Sequence, residues 1–178
     1  QLYIMLPKER IYVPSDQFTS RYLKSKMREL VQIFVALRAK TIKYIRYDSQ
    51  EEQKKINLSA DIDVPQVSLS DGVQYENSDT KKRGIQYEIR LNPPDEPIDI
   101  EAFADPSFYY LKREPSWQDM ILRRVDGGVV YDKYTYWNKE IKLLKSKFIQ
   151  KLKCFNLSAE YDWSKYNDFT VEYEVSYE

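Results

Sequence analysis

Two long segments of this chain carry apolar residues at helical spacing. The first runs from Thr19 to Ala39, and its apolar positions are Leu23, Met27, Leu30, Phe34 and Leu37. The second covers about 139–153 after Asn138 as its N-cap, and its apolar positions are Ile141, Leu144, Phe148 and Leu152. Residues three and four apart lie on one face of a helix. The pattern therefore predicts two long amphipathic helices, each with one buried face.

A shorter helix is predicted between them. Ser116 can cap it, Asp119 follows three residues later, and the helix then covers Trp117–Val125. Gly127 and Gly128 come next, and glycine commonly ends a helix because it adopts the left-handed conformation without strain. The capping pattern and the glycines together indicate a short third helix.

Alternation of apolar and polar residues predicts the strands. It is strictest in 85–91 and in 169–177, where every second residue is apolar or aromatic. Residues 41–47 are rich in β-branched and aromatic residues and are also predicted as a strand. Two more strands are predicted at 57–67, where Pro65 indicates an edge or an end, and at 129–136. A period of two indicates strands with one buried face.

Short pieces of the two halves resemble each other. Residues 57–63 (NLSADID) are similar to 156–162 (NLSAEYD), and 85–89 (IQYEI) are similar to 171–175 (VEYEV). Chance similarity among strands rich in Tyr and Glu is the alternative. An internal repeat of helix, strand and strand favours an α+β fold. We predict a two-layer sandwich of a mainly antiparallel sheet with both long helices on one face.

The length of 178 residues suits a single domain, 1–178. The candidate halves are 18–92 and 115–178, and an acidic, proline-rich linker at 92–106 joins them. No apolar run approaches the roughly 20 residues of a membrane-spanning helix. We expect a soluble, cytoplasmic protein, and a start at Gln1 instead of Met leaves open that the chain is a piece of a longer one.

Composition removes most catalytic designs. The chain has no histidine, one cysteine and four glycines. Without histidine it lacks the usual proton shuttle and the commonest metal ligand. A single cysteine forms neither an internal disulfide nor a Cys₄ zinc site, and the glycines form no phosphate-binding loop. We therefore expect no catalytic residues, no cofactor, no metal and a reducing compartment.

Three features could still carry chemistry. Asp61 and Asp63, and likewise Glu172 and Glu174, lie two residues apart and so on one face of a strand. Such pairs could bind a divalent cation or act as an acid/base pair, and a metal-dependent enzyme that uses Asp61 and Asp63 is the least favoured hypothesis. Charged residues on an exposed strand face are usually only solvated. Cys154 ends the second long helix, where a thiol is expected to be a small buried hydrophobe.

The balanced net charge conceals a segregation along the chain. The 28 basic and 28 acidic residues sum to zero. Residues 18–46 hold eight basic and one acidic side chain, and residues 133–153 hold seven basic and one acidic. The rest of the chain is correspondingly acidic. We expect cationic helices beside anionic strands and loops.

A second basic cluster lies among aromatic residues in 109–124. Its members are Tyr109, Tyr110, Lys112, Arg113, Trp117, Arg123 and Arg124. Guanidinium groups beside aromatic rings can clamp a planar anion or an unpaired base. They are also common at the centre of protein interfaces. The third interpretation is that Trp117 is a core residue and the arginines only flank a short helix.

Two functions follow as hypotheses. The first is a non-enzymatic protein–protein interaction or assembly module, in which a basic face meets an acidic face of a partner or of another copy. The alternative is a domain that binds nucleic acid or an anionic lipid surface. The candidate binding residues are Arg21, Lys24, Arg28, Arg113, Trp117, Arg123, Arg124, Lys142, Lys145 and Lys151.

Overall fold

The computed structural model describes residues 2–47, 68–70, 72–76, 78–79, 83–136, 138–154 and 170–178. Its α-helices are α1 (Ser15–Ala36), α2 (Pro115–Val125) and α3 (Asn138–Cys154). Its strands are β1 (Tyr3–Leu6), β2 (Ile11–Pro14), β3 (Thr41–Tyr47), β4 (Ser68–Leu69), β5 (Val73–Glu76), β6 (Arg83–Arg90), β7 (Tyr131–Tyr136) and β8 (Thr170–Ser176). Two 3₁₀ turns cover Glu101–Ala104 and Leu111–Arg113.

The main sheet is antiparallel between every pair of neighbouring strands described. Its order is β4–β6–β3–β8–β7, and β5 also pairs with β6. Strand β3 lies at the centre, and β1 and β2 form a separate hairpin. The predicted α+β sandwich with a mainly antiparallel sheet is therefore confirmed.

A row of tyrosines crosses four strands on the buried face of the sheet. In register, Tyr87 of β6 lies opposite Tyr44 of β3, which lies opposite Tyr173 of β8 and then Tyr134 of β7. Tyr44 and Tyr87 are stacked, with ring centroids 4.9 Å apart. Cross-strand aromatic pairs of this kind contribute about 0.2–1 kcal/mol each. This row fixes the register of the central strands.

The two segments proposed as a repeat occupy matching positions beside β3. Arg46 lies opposite both Ile85 and Val171, and Ile42 lies opposite both Ile89 and Val175. Strands β6 and β8 pair with the same residues of β3, so both need apolar residues at every second position. This similarity arises whether or not the two halves of the chain share an origin. The repeat stays a prediction, because its other pieces, 57–63 and 156–162, lie outside the described residues.

The opposite face of the sheet carries a row of alternating charge. Glu88, Lys43, Glu174 and Lys133 follow one another across β6, β3, β8 and β7. The Lys133 ammonium lies 3.6 Å from the Glu174 carboxylate and 3.8 Å from that of Glu172. Opposite charges placed directly across neighbouring strands stabilise their pairing.

Helix α1 covers the buried face of the sheet. Its apolar stripe of Leu23, Met27, Leu30 and Phe34 is essentially inaccessible to solvent. The Phe34 ring lies 5.7 Å from the ring of Tyr173, whose hydroxyl donates to the Met27 sulfur at 3.8 Å. Each fully buried side chain of this size contributes about 1.5–3 kcal/mol.

The helix begins four residues before the predicted start and ends three residues before the predicted end. Arg38 follows it in the left-handed conformation, with φ of 67°. The Arg38 amide donates to the Val35 carbonyl and the Ala39 amide donates to the Phe34 carbonyl. These two bonds form a Schellman motif, which explains why the helix stops although the apolar pattern continues to Leu37.

The α2 helix begins earlier than its capping pattern indicates. Pro115 occupies the first position, where its missing N–H is not needed. Ser116 lies inside the first turn and its hydroxyl contacts the Tyr134 hydroxyl at 3.2 Å. The prediction that Ser116 is the N-cap was therefore wrong.

In α3, Leu144 and Phe148 of the predicted stripe are buried in the common core. The predicted N-cap, Asn138, is the first residue of the helix. Among the described residues, every helix is too short or too polar to cross a membrane.

Candidate functional site

A cleft of ≈ 560 Å³ lies between the hairpin strand β1, helix α1, the segment 109–114 and helix α3. Its volume falls within the range of pockets that bind small molecules. We call it the aromatic cleft.

Five aromatic side chains of the described residues contribute to its lining. Phe18 and Tyr22 of α1 lie with their centroids 5.8 Å apart, and Tyr22 meets Tyr110 edge to face at 5.7 Å. Tyr110 in turn meets Tyr109 edge to face at 5.2 Å. Phe148 lines the cleft from α3. Edge-to-face pairs are favourable ring geometries, so these residues present a fixed apolar surface.

Three basic side chains form the rim of the cleft. The guanidinium of Arg113 lies 3.7 Å from the centroid of the Tyr109 ring and donates a 2.7 Å hydrogen bond to the Tyr109 carbonyl. Lys147 and Lys151 are one helical turn apart on α3 and are exposed. This combination suits a ligand with an apolar part and negative charge beside it.

The acid at the cleft, Glu114, is already paired. Its carboxylate accepts a hydrogen bond from the ammonium of Lys26, which is only 3% exposed. The ammonium also lies 5.6–6.0 Å from the ring centroids of Tyr22, Tyr110 and Trp117. An ion pair caged by rings holds α1 against the segment that leads into α2. It also leaves the rim with a net positive charge.

A second buried charge supports the other side of the cleft. Glu29 is 0% exposed, and its carboxylate accepts hydrogen bonds from the Lys8 ammonium at 2.9 Å and the Leu111 amide at 2.8 Å. The Tyr110 hydroxyl donates to Ser25 at 3.2 Å. Burial raises the pKa of Tyr110, which stays protonated at neutral pH. These hydrogen bonds hold Tyr110 and Leu111 against α1 on the core side of the cleft.

The structure brings only part of the predicted binding set together. Arg113 and Lys151 lie at the aromatic cleft. The remaining basic residues on α1 and α3 line other surfaces, and all but the half-buried Lys24 are exposed: Arg21, Lys24, Arg28, Lys142 and Lys145.

The three other members of that set are engaged within the fold. Trp117 is 0% exposed and its indole N–H donates to the Tyr134 hydroxyl at 3.0 Å, so it cannot stack on a ligand. Arg123 pairs with Asp132 at 2.9 Å. Arg124 donates to the Val129 carbonyl at 2.8 Å and lies over the ring of Tyr177. Trp117 is therefore not available to stack on a base, whereas the Arg123 side chain is 47% exposed and its role in binding stays a prediction.

Some of the positive charge assigned to the helices also lies elsewhere. Lys26 is buried, Lys43 lies on β3, and Arg46 is a β3 residue that is only 4% exposed. The separation into a cationic helical layer and an anionic sheet is thus less complete than the sequence indicates.

Sequence reasoning missed Lys147 and most of the aromatic lining. Lys147 was one of seven basic residues in its segment, and only the fold shows which of them border the cleft. The spacing of Lys147, Lys151 and Cys154 by four and three residues was the available signal, since it places all three on one helix face.

The carboxylate pairs and the cysteine that the sequence singled out can be examined where the structure describes them. Glu172 and Glu174 both lie within 4 Å of the Lys133 ammonium, at the distances given above. Cys154 is exposed at the cleft, so the expectation of a buried thiol was wrong. Asp61 and Asp63 lie outside the described residues. Within the described ranges, no group of three or more Cys, Asp or Glu side chains is placed to hold a metal ion.

Comparisons of the chain with protein-family models, with curated proteins and with solved structures gave no match. The geometry of the aromatic cleft therefore carries the functional conclusion.

Proposed function

We propose that this chain is a non-enzymatic protein-interaction module. Its contact site is the aromatic cleft, and its partner offers an acidic segment with a projecting apolar side chain. The observation that carries the proposal is the position of Arg113, Lys147 and Lys151 around a cleft lined by aromatic rings.

The lining has the composition of an interface centre. Tyrosine, phenylalanine and arginine are enriched there; the aromatic rings offer large contact areas with few rotatable bonds, and the arginine guanidinium forms several hydrogen bonds and stacks on rings. The rings are already held by the Lys26 and Glu29 networks, so little side-chain entropy is lost when a partner binds. Burial of one large apolar side chain supplies about 1.5–3 kcal/mol.

The rim charges select the partner. Exposed lysines add little affinity by themselves, but they steer an acidic segment to the cleft and repel a basic one. Because that steering is electrostatic, association weakens as salt is raised.

Binding of nucleic acid or an anionic surface is the second candidate. The exposed Arg21, Arg28, Lys142 and Lys145 favour it. The burial of Trp117 counts against it, because stacking is then left to the cleft tyrosines. The experiment below separates the two.

Two charge reversals on one helix provide the test. Lys147→Glu/Lys151→Glu changes the cleft, and Lys142→Glu/Lys145→Glu makes the same change of charge away from it. Fluorescence anisotropy measures binding of labelled peptides that carry four acidic residues around one Ile, Leu or Phe, at about 50 and 200 mM salt.

We expect such peptides to bind the unmodified protein and the Lys142/Lys145 variant equally. We expect at least a tenfold loss with the Lys147/Lys151 variant. Absence of binding by every acidic peptide, or equal binding by both variants, would overturn the proposal. If a single-stranded RNA binds the unmodified protein but not the Lys142/Lys145 variant, the result supports the second candidate instead.

A further inference from the structure

We infer that the partner of the aromatic cleft is a second copy of this chain. The acidic segment 95–101 of one copy docks in the cleft of another, with Ile100 as its apolar anchor. This inference rests on the proposed function and names its partner.

The segment has the required chemistry. Residues 92–106 contain five acidic residues and no basic one: Asp95, Glu96, Asp99, Glu101 and Asp105. All five are exposed. Ile100 lies between Asp99 and Glu101 and is 58% exposed, while the neighbouring Ile98 packs against the core. The segment thus presents one large apolar side chain flanked by negative charge.

Its backbone is held in place before any partner arrives. The Arg38 guanidinium donates to the Glu96 carbonyl at 3.2 Å and to the Pro97 carbonyl at 3.1 Å. The Asp99 carboxylate accepts a 3.1 Å hydrogen bond from the Glu101 amide, which opens the 3₁₀ turn. A segment fixed in this way loses little conformational entropy on docking.

The two surfaces are complementary in charge and in polarity. The acids beside Ile100 match the basic rim of Arg113, Lys147 and Lys151, and the Ile100 side chain matches the aromatic lining. Neither surface is neutralised on its own copy by an ion pair between rim and segment among the described residues.

Each copy carries both surfaces. Two copies can therefore exchange segments in a closed dimer, or each can bind the next in a chain. The contact is small, so the association is weak and depends on protein concentration and on salt.

Analytical ultracentrifugation over a concentration series tests the inference with three variants. Ile100→Asp removes the anchor and leaves the cleft intact. Lys147→Glu/Lys151→Glu removes the rim and leaves the anchor intact. Leu122→Asp is the matched control, since Leu122 is also an exposed apolar residue, 55% accessible, and lies on α2. Circular dichroism and thermal melting show whether each variant is folded.

We expect the unmodified protein and the Leu122 variant to self-associate equally. The Ile100 variant and the Lys147/Lys151 variant are each expected to be monomeric alone. Mixed together, they form a heterodimer, because one supplies the cleft and the other the anchor. Self-association of the Ile100 variant at the unmodified level would exclude the inferred contact.

The ultracentrifugation and peptide-binding results together distinguish failure of this inference from failure of the proposed function. If the unmodified protein is monomeric throughout but acidic peptides bind the cleft, the second copy is not the partner and the interaction module stands. If acidic peptides also fail to bind, both proposals fall.

Discussion

Lys26 of α1 and Glu114, the residue that precedes α2, form a partly buried ion pair across 88 residues of sequence. Rings of Tyr22, Tyr110 and Trp117 surround the ammonium. The pair ties the longest helix to the segment that bears the aromatic lining of the cleft.

We expect Glu114→Gln to destabilise the protein by about 3 kcal/mol, because it leaves the Lys26 charge buried without its counterion. Lys26→Met should destabilise less, since the rings around Lys26 accept an apolar chain and Glu114 stays 24% exposed to water. Urea denaturation measures both values.

The control is Glu101→Gln, which removes an exposed carboxylate and should change the free energy of unfolding by under about 0.5 kcal/mol. If Glu114→Gln behaves like this control, the ion pair does not hold the two segments together.

Alkaline pH should unfold the protein through its buried tyrosines. Burial, and less so the neighbouring Tyr44, raises the pKa of Tyr173 well above the usual 10. Burial also raises the pKa of Tyr110 and of Tyr177. The folded state therefore binds these protons more tightly than the unfolded state. The resulting stability is complete below about pH 10 and falls as the pH rises above it.

Tyr173→Phe tests this linkage. The hydroxyl donates a long 3.8 Å hydrogen bond to the Met27 sulfur, so its loss should change stability at pH 7 by less than about 1 kcal/mol. Above pH 10 the variant should lose stability with a shallower slope, measured by urea denaturation at each pH. An identical slope in both proteins would show that Tyr173 ionises equally in the folded and unfolded states.

The elements that the sequence predicts well are those whose alternation or helical spacing continues over seven or more residues. Strands β6 and β8 and helices α1 and α3 belong to this group, because one face of each is buried along most of its length. The β1–β2 hairpin was not predicted. Its strands are four residues each and expose Tyr3, Met5, Ile11 and Tyr12, so no periodic pattern marks them.

The candidate site was predictable only in part. Tyr109, Tyr110 and Arg113 were recognised because they are neighbours in sequence. Trp117 has the same neighbours but points into the core, and Lys147 comes from a distant helix. The side of a helix or strand that faces the cleft depends on contacts between residues far apart in sequence, such as Lys26 and Glu114. The local sequence pattern does not reveal these contacts.

The left-handed conformation of Arg38 should determine the relative stability of two variants at this position. Arg38→Ala loses the bonds to Glu96 and Pro97 and keeps a Cβ at φ of 67°. Arg38→Gly loses the same bonds but tolerates that φ. We expect the glycine variant to be more stable than the alanine variant by about 1 kcal/mol in urea denaturation. Equal stabilities would show that the Schellman motif does not persist in solution.

A methyl group at Gly72 should disturb the sheet. An added Cβ would lie 2.5 Å from Cγ2 of Ile85 and 2.8 Å from the ring of Tyr87, which stacks on Tyr44. We expect Gly72→Ala to lower the free energy of unfolding by about 1–3 kcal/mol through overpacking. Val73→Ala is the neighbouring control, because Val73 is 61% exposed and its truncation should be nearly neutral. Two equally stable variants would show that Gly72 does not approach β6 in solution.

Cys154 should report when the aromatic cleft is occupied. It is the single cysteine of the chain, is exposed, and lines the cleft beside Lys151. Ellman's reagent should therefore modify one thiol per folded chain without denaturant. A saturating peptide of residues 92–106 should slow that reaction severalfold by covering the thiol.

The Lys147→Glu/Lys151→Glu variant should show no such protection, and Cys154→Ser should bind the peptide normally, because the sulfur only borders the site. If a peptide shown to bind by anisotropy leaves the rate of modification unchanged, it occupies another surface, and the assignment of the cleft as the contact site is wrong.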